Sequence, residues 1–445
     1  MWGPDESSTS GSLPDGFPVP GALVGKNDTM KVCVIGSGGR EHAFVDVLRR
    51  SAEVVVTPGS PGIDGSTNED PEAIDADLFV VGPEGPLVDG LADRLRARGK
   101  LVFGPGADGA LLEGSKVFMK ELVTAAGVPT AAYQVFDGAD PGAVDAAAAF
   151  LGSMAPPYVI KTDGLAAGKG VFVTTDLEAA RADAVAKLTG LTFGDAGRRV
   201  VIEEGLEGPE ISLFAICDGT TAKVVPAVAQ DHKRLRDGNS GPNTGGMGCY
   251  SPVPGIDAVM LQDLMDLAVN PTLVELQRRG IDYRGVLFAG FMLTPTGPRL
   301  LEYNVRFGDP EAQVILPRLE VDLATVLAEA ASGRLVSELT ISSDAMVTVV
   351  CASEGYPTAP RVGDRIKGLE QALALPGVSV FCAGVARDET GHLVTAGGRV
   401  LNVCGRAAGL DSARERAYAG VDVISWPGMQ HRRDIADGAI RPKGT

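Results

Sequence analysis

The chain has 445 residues, with 40 Lys and Arg against 57 Asp and Glu, a formal net charge of −17. That length exceeds what one hydrophobic core organises and predicts roughly three or four domains of ~100–150 residues. The acid excess repels polymeric phosphate and excludes DNA or RNA as an expected partner, while small anions stay open to N–H nests and single cations.

Residues 1–29 (MWGPDESSTSGSLPDGFPVPGALVGKNDT) are rich in Gly, Pro and Ser and carry acids where a signal peptide needs bases, so a flexible tail is expected. From Met30, the strand-like runs KVCVI, EVVVT, DLFVV and LVF alternate with helical spacing and Gly/Pro turns. This predicts a doubly wound parallel sheet over 30–128. PYVIKTD and GVFVTT flank the loop GLAAGKG and precede a helical run, predicting a small α+β module over 129–205. ISLFAIC, AKVVPAVA, GVLFAGFML and RLLEYNV predict a larger mixed sheet over 206–345, with a helix near 258–279. AMVTVVCA, VSVFCAG and RVLNVCG, with a helix around 408–419, predict a compact α+β domain over 346–436 and leave 437–445 as a tail.

The six cysteines are scattered without a Cys-x-x-Cys clip, and there are four His, so neither disulfides nor zinc are expected. No apolar run approaches the ~18 residues of a membrane span. A cytoplasmic protein is the expectation.

Four stretches carry chemistry. GSGGRE joins a strand to a helix N-terminus, where Gly36, Gly38, Gly39 and Arg40 suit a phosphate; a plain tight turn fits the same residues equally well. Glu41 stands where a dinucleotide fingerprint needs glycine, which disfavours NAD. In the second stretch Lys161 lies on a strand before Gly164, Gly168, Lys169 and Gly170. The spacing is not that of a Walker loop, and a mobile lid over nucleotide phosphates is favoured over a solvated hairpin. In RLLEYNVRFGDPE, Glu302 and Asn304 share one face of a strand, a carboxylate and an amide oxygen suited to Mg²⁺, with Arg306 on the same side to hold an anion. QDHKRLRDGNSGPNTGGMG is a long polar loop of the functional kind, although His232 alone is more often structural.

Taken in order, VIGSGGREHA, VGPEGPL, LEGSK, IKTDGLAAGKGV, VIEE, QDHKR, GPNTGGMG, LEYNVRFGDPE, a YP and GGRVL closely resemble the glycinamide ribonucleotide synthetase (phosphoribosylamine–glycine ligase) family of the ATP-grasp superfamily, over 30 to about 436. The resemblance implies an α/β and α+β multidomain ATP-grasp fold, with a Rossmann-like doubly wound N-terminal domain and a small C-terminal α+β domain. It implies ligation of glycine to phosphoribosylamine at the expense of ATP through a glycyl phosphate, with Mg²⁺ or Mn²⁺, in a monomer with no nucleic-acid or membrane partner.

By resemblance, Lys116, Lys161, Gly168 and Lys169 contact ATP, Glu203, Glu204 and Leu206 form a hinge beside adenine, and Glu210 reaches the ribose. Glu302 and Asn304 match metal ligands. Gly38, Gly39, Arg40 and Glu41, with Gly82, Pro83 and Glu84, match the ribosyl-phosphate side. His232, Asn243, Thr244, Gly245 and Gly308 line the meeting point of glycine and amine, together with Asp231, Lys233, Arg306 and Asp309 as the catalytic group. Three features depart from the family pattern. Only PGIDGSTNEDPEAIDAD connects TPGS to VGPE, where a longer segment is usual, so an edge of the first sheet is expected to be missing or rebuilt. Pro209-Glu210 keeps one of two usual acids, and Gly85 replaces an alanine. The competing readings are a relative with another amine acceptor, another ATP-grasp enzyme such as a carboxylase, and a decayed nucleotide-binding regulator.

Overall fold

The computed structural model describes residues 29–440, apart from 166–169, 193 and 195–196. The readings made of the tail up to residue 28, of Gly168 and Lys169, and of 441–445 lie outside the described residues. Strands β1 (Lys31–Gly36), β2 (Glu53–Pro58), β3 (Leu78–Val81) and β4 (Leu101–Phe103) form a sheet in the order β2-β1-β3-β4, parallel throughout. β1 and β3 are buried on both faces, which is why they read as unbroken apolar runs. Helix α1 (Gly39–Leu48) follows β1 and is closed by a capping box, the Gly38 N–H donating to Glu41 Oε2 at 2.6 Å.

The short connection after β2 adds no strand. It rebuilds the sheet edge instead: the Val56 N–H donates to Gly65 O at 3.0 Å and the Thr67 N–H to Val56 O at 2.8 Å. Thr57 Oγ1 donates to Glu69 O at 2.5 Å, so loop backbone covers what would otherwise be an open edge.

A second sheet contains β5 (Tyr133–Asp137), β6 (Tyr158–Thr162), β7 (Val171–Thr174) and β8 (Arg199–Glu204), antiparallel in the order β5-β8-β6-β7. Its own core includes Phe136, Leu151, Ile160, Leu188 and Ile202. Next in the chain come β9 (Glu210–Asp218), β10 (Ala222–Val224), β11 (Gln230–Asp231), β12 (Arg234–Arg236), β13 (Ser240–Asn243), β14 (Gly248–Ser251), β15 (Arg284–Thr294) and β16 (Gly297–Asn304). The central sheet runs β10-β9-β15-β16 and β12 pairs only with β13.

The end domain carries β17 (Ala345–Ala352), β18 (Val378–Cys382), β19 (Val385–Arg387), β20 (Leu393–Thr395) and β21 (Arg399–Ala407). Here the structure departs from the expected single mixed sheet over 206–345. β11 and β14 leave it and extend the C-terminal sheet, ordered β11-β14-β17-β21-β18. The reason is a long-range pairing, Gly248–Ser251 against Val349–Met346, which no local pattern encodes. The expected tail at 437–445 begins with a helical turn, Asp437–Ile440, anchored by the buried Ile435 and Ala436.

Candidate active site

The central sheet supplies the floor. Past a bulge at Leu301, Tyr303 and Val305 enter the core while Glu302 and Asn304 stay on the half-exposed face, as their i, i+2 spacing predicts. Ser212, Gly290 and Glu302 stand in one row across β9, β15 and β16. Among the described residues neither Glu302 nor Asn304 has a side-chain hydrogen-bond partner. Burial pushes the Glu302 carboxyl up, but Lys233, Lys161, Lys116 and Arg306 outweigh it and hold the group below the ordinary carboxylate range. An ionised carboxylate and a free amide on one face fit an oxygen-liking divalent cation that completes its shell with phosphate and water.

Lysines rim this face. Lys116 Nζ donates to Gly164 O at 3.0 Å, where the glycine-rich loop begins. Lys161 lies 3.0 Å from Glu203 Oε1. Lys233 is ion-paired with Glu210; burial works against its charge, yet Glu210 and Glu302 more than offset it and raise its pKa. Glu203 is 2% exposed, its carboxylate turned inward between lysines rather than toward open space. Glu204 Oε1 accepts the Ala132 N–H at 2.9 Å, and Leu206 is half-buried at the strand end.

The N-terminal sheet supplies the opposite wall. Gly82, Pro83 and Glu84 follow β3, Glu84 opening the next helix, and Glu84 Oε2 accepts Arg306 Nε at 3.2 Å. The structure turns the Arg40 guanidinium inward. Arg40 is 7% exposed, its Nε 2.6 Å from Glu41 Oε1 and its Nη1 donating to Phe307 O at 3.1 Å. Glu41 folds back to cap α1 and occupies the space left by Gly36 and Gly82, where any side chain would collide with it. Two N–H groups of this helix start are already taken, Gly38 by Glu41 and Arg40 by Asp309 Oδ2 at 3.3 Å. Gly39 packs against the amides of Asn402 and Gln313, joining the first domain to the last.

The long polar loop closes the third side. Burial and Glu311 raise the Asp231 carboxyl, burial and Asp309 raise that of Glu311, and Glu311 accepts Ser212 Oγ at 3.3 Å. His232 Nδ1 lies 3.2 Å from Gly248 O; burial and Arg432 pull its pKa down to about 4, so it is a neutral structural imidazole. Thr244 Oγ1 donates to Lys233 O at 2.9 Å, the Gly245 N–H donates to the Tyr356 hydroxyl at 3.0 Å, and Asn243 is exposed on β13. Gly308 gives Glu311 its room. Asp309 sits 3.3 Å from Arg399 Nη2; burial opposes its charge, but Arg399 and Arg40 hold the carboxyl low. A cleft of about 830 Å³ opens beside this loop, lined by Glu210, Asp231, Lys233, Arg234 and Arg432 among others.

Sequence reasoning passed over Glu113, Lys120, Glu311 and Arg399. Three of them stand inside the stretches LEGSK, FGDPE and GGRVL, and Lys120 stands one helical turn after Lys116. Of the residues singled out, Lys116, Lys161, Lys233, Glu302 and Arg306 are brought together electrostatically, whereas Arg40, Glu41 and Glu203 are buried in ion pairs and His232, half-buried, lines the cleft.

Comparison with known proteins agrees with this architecture. The N, ATP-grasp (A) and C domains of phosphoribosylglycinamide synthetase match residues 30–113, 114–312 and 346–438. Phosphoribosylamine–glycine ligase of Caulobacter vibrioides is 47% identical over 434 residues, covering 94% of this chain and 100% of that protein. The Streptomyces coelicolor ligase is 47% identical, covering 92% and 99%. The crystal structure of the Thermotoga maritima ligase superposes with a TM-score of 0.79 at 35% identity, covering 91% of this chain and 100% of that one. A biotin carboxylase from Campylobacter jejuni, 14% identical with a TM-score of 0.67 over 93% of this chain and 96% of its own, shares the fold alone. With all three domain types matched in order and nearly half the residues identical over almost the full chain, this protein belongs to the phosphoribosylglycinamide synthetase family, with an ATP-grasp fold.

Proposed function

We propose that the protein joins glycine to phosphoribosylamine at the expense of ATP, giving glycinamide ribonucleotide, ADP and phosphate. The observation that carries this reading is the Glu302–Asn304 face, without a side-chain hydrogen-bond partner among the described residues and ringed by Lys116, Lys161 and Lys233, with Arg306 beside it. In the proposed chemistry a glycine carboxylate oxygen attacks the γ-phosphorus and ADP departs. The amine nitrogen then attacks the acyl carbon, phosphate leaves, and the amine gives up a proton. Lys116 and Lys161 hold phosphate oxygens, and Arg306 stabilises the charge that develops between the two reacting groups. Glu302 and Asn304 would hold Mg²⁺ (Mn²⁺ offers similar ligand chemistry), which when bound supplies neutralisation of phosphate charge. Asp231, whose carboxyl burial and Glu311 push up, is in its ionised form a strengthened base suited to take the amine proton.

The reading includes a monomer acting in the cytoplasm. No described helix is long and apolar enough to cross a membrane, and an Arabidopsis thaliana relative is named chloroplastic. The test is ADP release by the purified chain. Release should require glycine and phosphoribosylamine together; ADP formed with a different amine acceptor, and not with this one, would favour a relative of altered specificity.

A further inference from the structure

Lys120 is wholly buried, and its ammonium sits where three parts of the molecule meet. It belongs to the helix Lys116–Ala125, one turn beyond Lys116 on the same face. Its Nζ donates to Thr130 Oγ1 at 2.7 Å, lies 3.1 Å from Glu203 Oε2 and stands 5.3 Å from the centre of the Tyr133 ring. Thr130 in turn donates to Leu300 O at 2.7 Å, on β16 two residues before Glu302. The other oxygen of Glu203 faces Lys161 at 3.0 Å. Three ionisable groups are thus buried in a line, Lys120–Glu203–Lys161, running from the helix through β8 to β6.

Burying such a line is costly, and apolar side chains of similar volume would hold the same junction at least as firmly. The charge count offers a reason for keeping it. Two cations share one carboxylate, which leaves one net positive charge at the Lys161 end, beside Glu302. With Lys120 absent, Glu203 would neutralise Lys161 alone and draw it away from an anion.

We infer that Lys120 is a positioning residue for nucleotide binding: it shares Glu203 with Lys161 and so leaves Lys161 charged and aimed at the phosphates. This rests on the proposed contact between Lys161 and ATP. Burial pulls the Lys120 pKa down to about 8 against the hold of Glu203, consistent with an ammonium kept by that carboxylate.

The experiment compares Lys120→Met, Glu203→Gln and the double variant, reading the ATP dissociation constant by calorimetry and KM for ATP and for glycine. Lys120→Met should weaken ATP on the order of tenfold or more, the loss expected for a charge-assisted contact. KM for glycine should stay within about twofold, since only one ligand's ground-state binding is touched. The double variant restores the net positive charge and should recover most of the ATP affinity. A folded Lys120→Met protein that binds ATP normally would overturn the inference, as would a folded double variant that binds no better than Lys120→Met. Where Lys120→Met does not fold, the double variant alone decides, because it carries no unpaired buried carboxylate: ATP binding near the wild-type level supports the inference and its loss overturns it. Wild-type protein that fails to bind ATP would instead sink the proposed function.

Discussion

Arg306 is gripped by two carboxylates from elsewhere in the chain, its Nη2 2.6 Å from Glu113 Oε1 and its Nε 3.2 Å from Glu84 Oε2. The second oxygen of Glu113 accepts the Val305 N–H at 2.9 Å, so one side chain fixes both the guanidinium and the backbone next to Asn304. Burial pushes Glu113 up, with Arg306 opposing, while Arg306 itself is held firmly protonated by Glu113 and Glu84. Glu113→Gln keeps the shape and loosens this grip. Turnover should fall on the order of tenfold or more, with KM for ATP little changed, because a misplaced charge stabiliser costs mainly in the transition state. Unchanged kcat in steady-state assays would show that Arg306 needs no such holder.

Glu302→Gln removes the carboxylate from the face that Lys116, Lys161 and Lys233 surround. Turnover should drop on the order of a hundredfold or more, with partial recovery at high Mg²⁺, since the amide keeps the shape but loses the charge that helps retain the ion. Titration of activity against Mg²⁺ checks this; near-normal rates at low Mg²⁺ would remove Glu302 from the metal site.

Arg40→Ala should act first on stability. The substitution leaves Glu41 buried without its cation and frees the Phe307 carbonyl. Breaking a buried pair from one side costs about 3–5 kcal/mol. Denaturant unfolding should show that loss, and a variant as stable as the parent would mean the pair is replaced by water.

Acid sensitivity follows from two histidines. Burial and Arg49 pull His42 down to about 4, and burial and Arg432 do the same for His232. Each is neutral when folded but takes a proton near pH 6.5 when unfolded, so the unfolded chain binds more protons in between. Their contribution is complete above pH ~6.5 and is lost as pH falls toward ~4. Unfolding midpoints between pH 7 and 5 should decline, and His42→Asn with His232→Asn should flatten the decline. An equally steep profile in the double variant would assign it to carboxylates.

Much of the site was legible because its chemistry is local. Glu302 and Asn304 follow from strand alternation, and the strand–loop–helix text GSGGREHA follows from a buried parallel strand meeting a capped helix. The inward setting of Arg40 was not legible, because its partners, Glu41 beside it and Phe307 far along the chain, use a charge that the motif alone presents as free. Glu113, Lys120 and Arg399 were overlooked because their meaning lies in partners far along the chain, Arg306, Glu203 and Asp309 respectively, beyond the reach of local side-chain pairs.

The sequence by itself determined the order of domains and the strand face that Glu302 and Asn304 share. These rest on periodicity and on residue types that can do only certain chemistry. Tertiary structure alone decided which charges are paired with which: Arg40 with Glu41, Arg306 with Glu84 and Glu113, and Glu203 with Lys120 and Lys161. It also decided that β11 and β14 join the last sheet, carrying Asp231 to Glu311. The physical reason is the same in each case. A charge in a low-dielectric interior takes its character from whatever partner the fold brings within a few ångströms, and that partner is not a property of the neighbouring residues in the chain.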